Sequence, residues 1–430
     1  MRLPYRCLFL ALGLTLLVSA GVAAQTSPAP TTRVSLSDLI AAARARTGAE
    51  SRSTLGTLTP DVLKGIESLE PSGSGRVPNY LRVLAPIAGA PQSLSGLVRA
   101  LLYEGLVEPE LKMTMGLRIA QINGSPYVAA HLQRFLNGSA RGRVLLPPLA
   151  ANALDQLRND DRLALRYAEA LTLDVHGISD EDFRRIRASF NDGQVVELTM
   201  VVSFFNYFTR LAEALKLPVE AWAISTAFVP PAAAFEAPLP RVNIVSDRQL
   251  AWAAKAAPAP SSPEKRPALV NSQRAMMLTP AIGSAWMTHV QTIGASSGVD
   301  QAVKLHVSFA VSTANGCRYC TLHQVQGLRR VGVSIDKLLQ LQKDDSALTP
   351  RELVAVQFAR ALTRGPASTT DADYATLRTT FGAQGALEVV LQTCAFAFMN
   401  RFTDNLKLPS EDEAVAVYRQ VYGRDHPRTK

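Results

Sequence analysis

Two stretches of this chain alternate apolar residues with polar or small ones: Leu111, Met113, Met115, Leu117 and Ile119 in one, Val303, Leu305, Val307, Phe309 and Val311 in the other. Taken alone, a period of two predicts strands. The remaining signals are helical. Thr349-Pro350-Arg351-Glu352 is a capping box with proline at the first helical position, and Leu353, Val354, Val356, Phe358 and Leu362 follow it. Thr370 to Asp373 and Ser179 to Asp182 carry N-cap signatures. Residues 195–208 and 387–399 are apolar nearly all round, as buried helices are. Residues 35–70 predict two further short helices.

The chain also repeats itself. Asn123-Gly-Ser-Pro-Tyr-Val-Ala-Ala-His131 and Asn315-Gly-Cys-Arg-Tyr-Cys-Thr-Leu-His323 share their Asn, Gly, Tyr and His at an offset of 192. Further on, at an offset of 191, Ala168, Ala170, Leu171 and Thr172 match Ala359, Ala361, Leu362 and Thr363. Glu197 matches Glu388, Arg210 matches Arg401, and Leu215-Lys-Leu-Pro218 matches Leu406-Lys-Leu-Pro409. A period this long fits a duplicated domain rather than a solenoid unit. Only the later copy holds sulfur at the motif, because Ser125 and Val128 stand where it has Cys317 and Cys320.

The ends and the middle divide the chain. Residues 1–24 predict a signal peptide: Arg2 and Arg6 are followed by an apolar run from Leu8 to Val18, with Val22-Ala23-Ala24 offered for cleavage. That run is shorter than the ~20 residues a spanning helix needs, so no stable membrane insertion is expected after cleavage. The address is periplasmic or secreted. An N-terminal extension covers 25–77, with residues 25–32 expected to be disordered. The first repeat covers 78–225, and a Pro/Ala-rich linker with a short helix near 247–255 covers 226–269. The second repeat, with a polar tail, covers 270–430. The formal charge of +9 falls to +7 without Arg2 and Arg6, and no long Lys/Arg block exists, so nucleic acid is not an expected partner.

Cleavage removes Cys7 and leaves Cys317, Cys320 and Cys394, too few for a disulfide scaffold in so large a chain. They read as one redox pair plus a packed thiol, Cys394. A thiolate is the nucleophile, and a Cys-x-x-Cys pair at a helix start is favoured as an anion by free backbone N–H groups and the helix dipole. Residues three apart lie on one side of a helix, so Cys317, Cys320 and His323 can share a face. Two other readings stay open: a static disulfide, and half of a zinc site completed by His323 and an unidentified fourth ligand. His131, with no thiol partner, reads as structural. Tyr127 and Tyr319 read as pocket-lining or packed, and His306 as a surrogate base.

The motif Asn315-Gly-Cys-x-Tyr-Cys resembles the alkylhydroperoxidase D / carboxymuconolactone decarboxylase family. So do Arg360-Ala-Leu-Thr, Ser368-Thr-Thr-Asp-Ala-Asp, and the buried helix ending at Asn400-Arg401-Phe402. The resemblance implies an all-α fold of two tandem alkylhydroperoxidase D-like helical domains, the first degenerate, so the alternating stretches are expected to be helical. It implies a homo-oligomer, no cofactor and no metal. It implies a thiol peroxidase that reduces hydroperoxides, in which Cys320 is peroxidatic and Cys317 resolving; His323, on the same helix face, is the candidate proton carrier. A dithiol donor, thioredoxin-like in an exported protein, would then restore the pair. The family's decarboxylase branch, which needs no cysteine pair, implies a lyase with a histidine acid/base; a non-catalytic binding or structural protein is the third reading. Two positions depart from the peroxidase pattern. Gln324 stands where the family has its histidine, and Leu305 where it has a glutamate, so the expected relay is incomplete.

Overall fold

The structure, a computed structural model, describes residues 33–67, 76–225 and 269–427. The signal segment, residues 25–32 and the linker from 226 to 268 with its expected helix lie outside the described residues. Among the described residues there is no strand. The helices are α1 Leu36–Ala45, α2 Pro60–Glu67, α3 Asn79–Arg82, α4 Ala90–Val98, α5 Pro109–Asn123, α6 Pro126–Gly138, α7 Ala140–Ala150, α8 Asn159–Leu173, α9 Asp180–Ser189, α10 Asp192–Ala214 and α11 Ala221–Ser225. The later part of the chain adds α12 Asn271–Met276, α13 Pro280–Ala295, α14 Gln301–Ala314, α15 Arg318–Arg330, α16 Ile335–Leu341, α17 Pro350–Arg364, α18 Asp371–Asn405 and α19 Asp412–Tyr422.

Both alternating stretches are helices, α5 and α14. The polar residues between their apolar ones are buried as well, so the pattern never marked a wet face. Lys112 and Lys304 are buried and pair with Glu197 (2.8 Å) and Glu388 (3.2 Å). Each glutamate also accepts two backbone amides of the loop before the helix, Leu106 and Val107 in one case, Gly298 and Val299 in the other. Buried charges persist only when paired and hydrogen-bonded in this way. Deeper along α14, Ser308 accepts from Gln392 and Ser312 from Asn400.

The capping signals form as read. Thr349 closes a capping box with Glu352, Thr370 one with Asp373, and Ser179 accepts from the Asp182 amide. α18 is broken at Gly382, whose φ of 73° and ψ of 176° lie outside the helical range. It thus corresponds to the separate helices α9 and α10 of the earlier half.

The two halves meet along α10 and α18, and their contacts exchange. Arg210 crosses to the Thr363 carbonyl at the end of α17, and Arg401 to the Thr172 carbonyl at the end of α8. Lys216 bonds Asp371, and Lys407 bonds Asp180. Each buried guanidinium meets a helix C-terminus, where the dipole favours a cation. α18 is long and apolar enough to cross a membrane by length and composition, but 72% of that window is buried inside the protein.

Candidate active site

The second half places Cys317 and Cys320 at the start of α15. Gly316 turns the chain with φ 65°, as Gly124 does with φ 62° before α6. Cys317 is the N-cap, and its sulfur accepts the Cys320 amide at 3.4 Å. Both cysteines are free and buried, 0% and 3% exposed, against Tyr319 and the half-buried Phe396, Met399 and Leu408. The Thr403 hydroxyl of α18 sits 3.4 Å from Cys317 Sγ and 3.3 Å from Cys320 Sγ.

This environment separates the two thiols. Burial pushes Cys317 well above the usual thiol range, and its bond to Cys320 and the Asp404 charge push the same way. Burial opposes ionisation of Cys320 too. Hydrogen bonds from Cys317, Thr403 and Asn400 together outweigh it, and the Cys320 pKa is lowered. Of the pair, Cys320 is the one suited to carry the charge.

His323 lies one turn further along α15. Its Nε2 is 2.6 Å from Glu411 Oε2, and its ring lies 4.5 Å from that of Tyr319. The Tyr319 hydroxyl reaches Glu411 Oε1 at 3.2 Å. Burial lowers the His323 pKa against the pull of Glu411, which leaves the imidazole neutral near pH 7. Among the described residues no hydrogen bond joins His323 to either sulfur. His306 faces elsewhere: its Nδ1 bonds the Ala302 carbonyl at 2.7 Å and lies 3.5 Å from Glu352. Leu305 packs in a separate apolar cluster with Leu322, Val325 and Leu328. Cys394 is fully buried in the main core, and burial raises its pKa far above the usual thiol range.

The first half repeats this arrangement without sulfur. His131 pairs with Glu220 at 2.9 Å, Tyr127 donates to Glu220, and the Tyr127 and His131 rings are 4.7 Å apart. Ser125 donates to Glu213, the residue equivalent to Asp404. Val128, at the place of Cys320, is buried.

Residues 280–361 match the family model described as the carboxymuconolactone decarboxylase family. Over that segment the second half is similar to the family. The matched segment contains both cysteines and His323, but neither Thr403 nor Glu411. A search of curated proteins finds no match. Among solved structures, the debrominase Bmp8 in complex with 2,3,4-tribromopyrrole aligns at 21% identity with a TM-score of 0.33, over 36% of this chain and 83% of its own.

Sequence reasoning missed Glu411, Thr403, Asn400 and Asp404 as parts of the site. Glu411 carried a usable signal. The matched Leu-Lys-Leu-Pro runs end at Pro218 and Pro409, and two residues later the chain has Glu220 and Glu411.

Proposed function

We propose that the second half is a thiol-dependent, peroxidase-like oxidoreductase that reduces hydroperoxides through Cys320 and Cys317. The observation that carries this reading is the asymmetry of the buried pair, in which hydrogen bonds outweigh burial at Cys320 and burial wins at Cys317. The Cys320 thiolate attacks the terminal peroxide oxygen. The O–O bond breaks, the alkoxide leaves and takes a proton, and Cys320 becomes a sulfenic acid. The Cys317 sulfur then attacks the Cys320 sulfur, water leaves, and a disulfide forms. Two electrons and two protons from a dithiol donor, thioredoxin-like in chemistry, restore the thiols. His323, held by Glu411 and neutral, accepts and returns the protons. Glu411 is our candidate for the carboxylate that Leu305 does not supply. The apolar neighbours of the thiols, Phe396, Met399 and Leu408, favour an organic hydroperoxide over hydrogen peroxide.

On this reading the chain is a tandem duplication whose first copy is redox-silent and takes the place of a neighbouring subunit. The matched offsets and the exchanged arginine and lysine contacts support it. The N-terminal segment sends the chain to the periplasm or outside the cell, where an antioxidant role fits.

One observation favours a second reading. The His–Glu–Tyr arrangement persists in the first half, where no thiol exists. A lyase using His323 and Glu411 as acid and base would be indifferent to the cysteines. Free-thiol titration of the reduced protein, before and after one equivalent of cumene hydroperoxide, separates the two. The peroxidase reading requires loss of two thiols, at Cys317 and Cys320, per peroxide consumed. Thiols that survive peroxide leave the lyase as the better account.

A further inference from the structure

Asp404 lies beside the start of α15 and does two things there. Its Oδ1 accepts the Arg318 amide, the first of the helix, at 3.2 Å. Its charge also disfavours ionisation of both Cys317 and Cys320. A carboxylate in this place works against the thiolate unless a cation meets it. Among the described residues, the basic group that pairs with Asp404 comes from the first half: His176, in the loop between α8 and α9, whose Nδ1 meets Asp404 Oδ2.

The other ring nitrogen has a partner as well. His176 Nε2 is 3.1 Å from the carbonyl oxygen of Asn315, two residues before Cys317. A carbonyl and a carboxylate can only accept. The ring therefore bridges the acid and the turn before Cys317. Its own backbone amide is tied to Asp174 at 2.9 Å, which fixes the loop.

The first half supplies an internal comparison. Glu213, equivalent to Asp404, is met by Arg46 of α1 at 2.6 Å. Both halves thus answer the acid beside the helix start with a basic side chain from a distant segment. Where sulfur is absent that side chain is an arginine. Where sulfur is present it is a histidine contributed by the other half.

We propose that His176 is a positioning residue of the thiol site: it holds Asp404 in an ion pair and so allows the start of α15 to carry the Cys320 thiolate. The second half's site is then incomplete without the first half, although the first half has no thiol of its own. This rests on the reading of Cys320 as the reactive sulfur, but not on peroxide being its substrate.

The test is the rate at which iodoacetamide alkylates Cys320 in the full-length reduced chain at pH 7. Trypsin cuts after Arg318 and so delivers Cys317 and Cys320 on separate peptides for mass spectrometry. His176→Phe should slow alkylation of Cys320 about tenfold or more, the effect of one pKa unit on a minor thiolate population. His176→Arg, which copies the arrangement around Glu213, should react within about twofold of wild type, a gap too small to reflect a lost ion pair. In an Asp404→Asn background, His176→Phe should change the rate little, because the charge it answers is gone. The proposal is overturned if His176→Phe reacts like wild type, or if His176→Arg is as slow as His176→Phe. It is equally overturned if the Phe substitution slows the Asp404→Asn protein as much as the wild type, or if Cys320 of the wild type is not alkylated. A protein that shows the expected pattern yet consumes no peroxide keeps this proposal and loses the peroxidase reading.

Discussion

Glu411 Oε2 lies 2.6 Å from His323 Nε2, and the chain reaches this contact from the far end of the second half, 88 residues after the histidine. The glutamate is ionised. Burial opposes its charge, but the Asn271 amide, its own amide and His323 together lower its pKa. A fixed carboxylate on Nε2 orients the ring and sets which nitrogen holds the proton.

Glu411→Gln keeps the shape of the side chain and removes that charge. Single-turnover oxidation of Cys320 by cumene hydroperoxide should slow by about ten- to a hundredfold, less than the 10²–10⁴-fold typical of losing the base itself. Stopped-flow mixing with excess peroxide reads the rate. If the Gln variant is as fast as wild type, Glu411 is not the relay's carboxylate.

His289 makes the protein acid-sensitive. Its ring is buried between the halves, 3.0 Å from the Ser93 hydroxyl and 2.9 Å from that of Tyr207, and burial lowers its pKa from 6.5 to about 4. The folded state keeps the ring neutral while the unfolded chain takes up a proton below about pH 6.5. The stabilisation is therefore complete above pH 6.5 and is lost as the pH falls toward 4, a swing of about 3 kcal/mol from this one group. Urea titrations of wild type and His289→Gln at pH 7 and pH 4.5 should show the wild type losing more stability than the variant. Equal losses would mean that His289 does not set this slope.

How far the sequence could reach is clear from particular residues. The motif before α15 and the capping boxes are local, and they were legible. The alternation in α5 and α14 pointed to strands because Lys112, Lys304, Ser308 and Ser312 looked like a solvated face; they are buried and satisfied by partners on other helices. Asn400 was read as the end of a buried helix and Thr403 lay beyond it, and nothing in local spacing aims a hydroxyl at a sulfur. His176 was invisible for a stronger reason. It reaches Asp404 across 228 residues of chain, through packing of one half on the other.

Removing the first half should expose what α10 covers. α18 buries Val389, Val390, Ala397 and Arg401 in the full chain, and Arg401 bonds the Thr172 carbonyl. A chain beginning at residue 269 presents that apolar face with an unanswered guanidinium in it. Size-exclusion chromatography with light scattering should find it self-associated or aggregated. A stable monomer that keeps its helicity would show that the first half is dispensable for the fold of the second.

The cysteines bear most directly on mechanism. Cys320→Ser should abolish peroxide consumption, because at the other described thiols, Cys317 and Cys394, burial outweighs every interaction that favours the thiolate. Cys317→Ser should still react once. Its sulfenic acid at Cys320 then persists and can be trapped with dimedone, since no thiol lies beside it to expel water. The reaction should be slower than in wild type, because the Cys317 hydrogen bond is among those that lower the Cys320 pKa and a serine hydroxyl is shorter. His323→Ala should slow the first turnover by about 10²–10⁴-fold without preventing the eventual disulfide. Cys394→Ser should leave the rate unchanged, as that thiol lies in the main core rather than in the Cys317–Cys320 cluster. Intact-mass spectrometry after one equivalent of peroxide distinguishes thiol, sulfenic acid and disulfide in each variant. A Cys320→Ser protein that consumes peroxide as fast as wild type would remove Cys320 from the mechanism. Chemistry would then pass to the His323–Glu411 pair, which the first half retains as His131–Glu220.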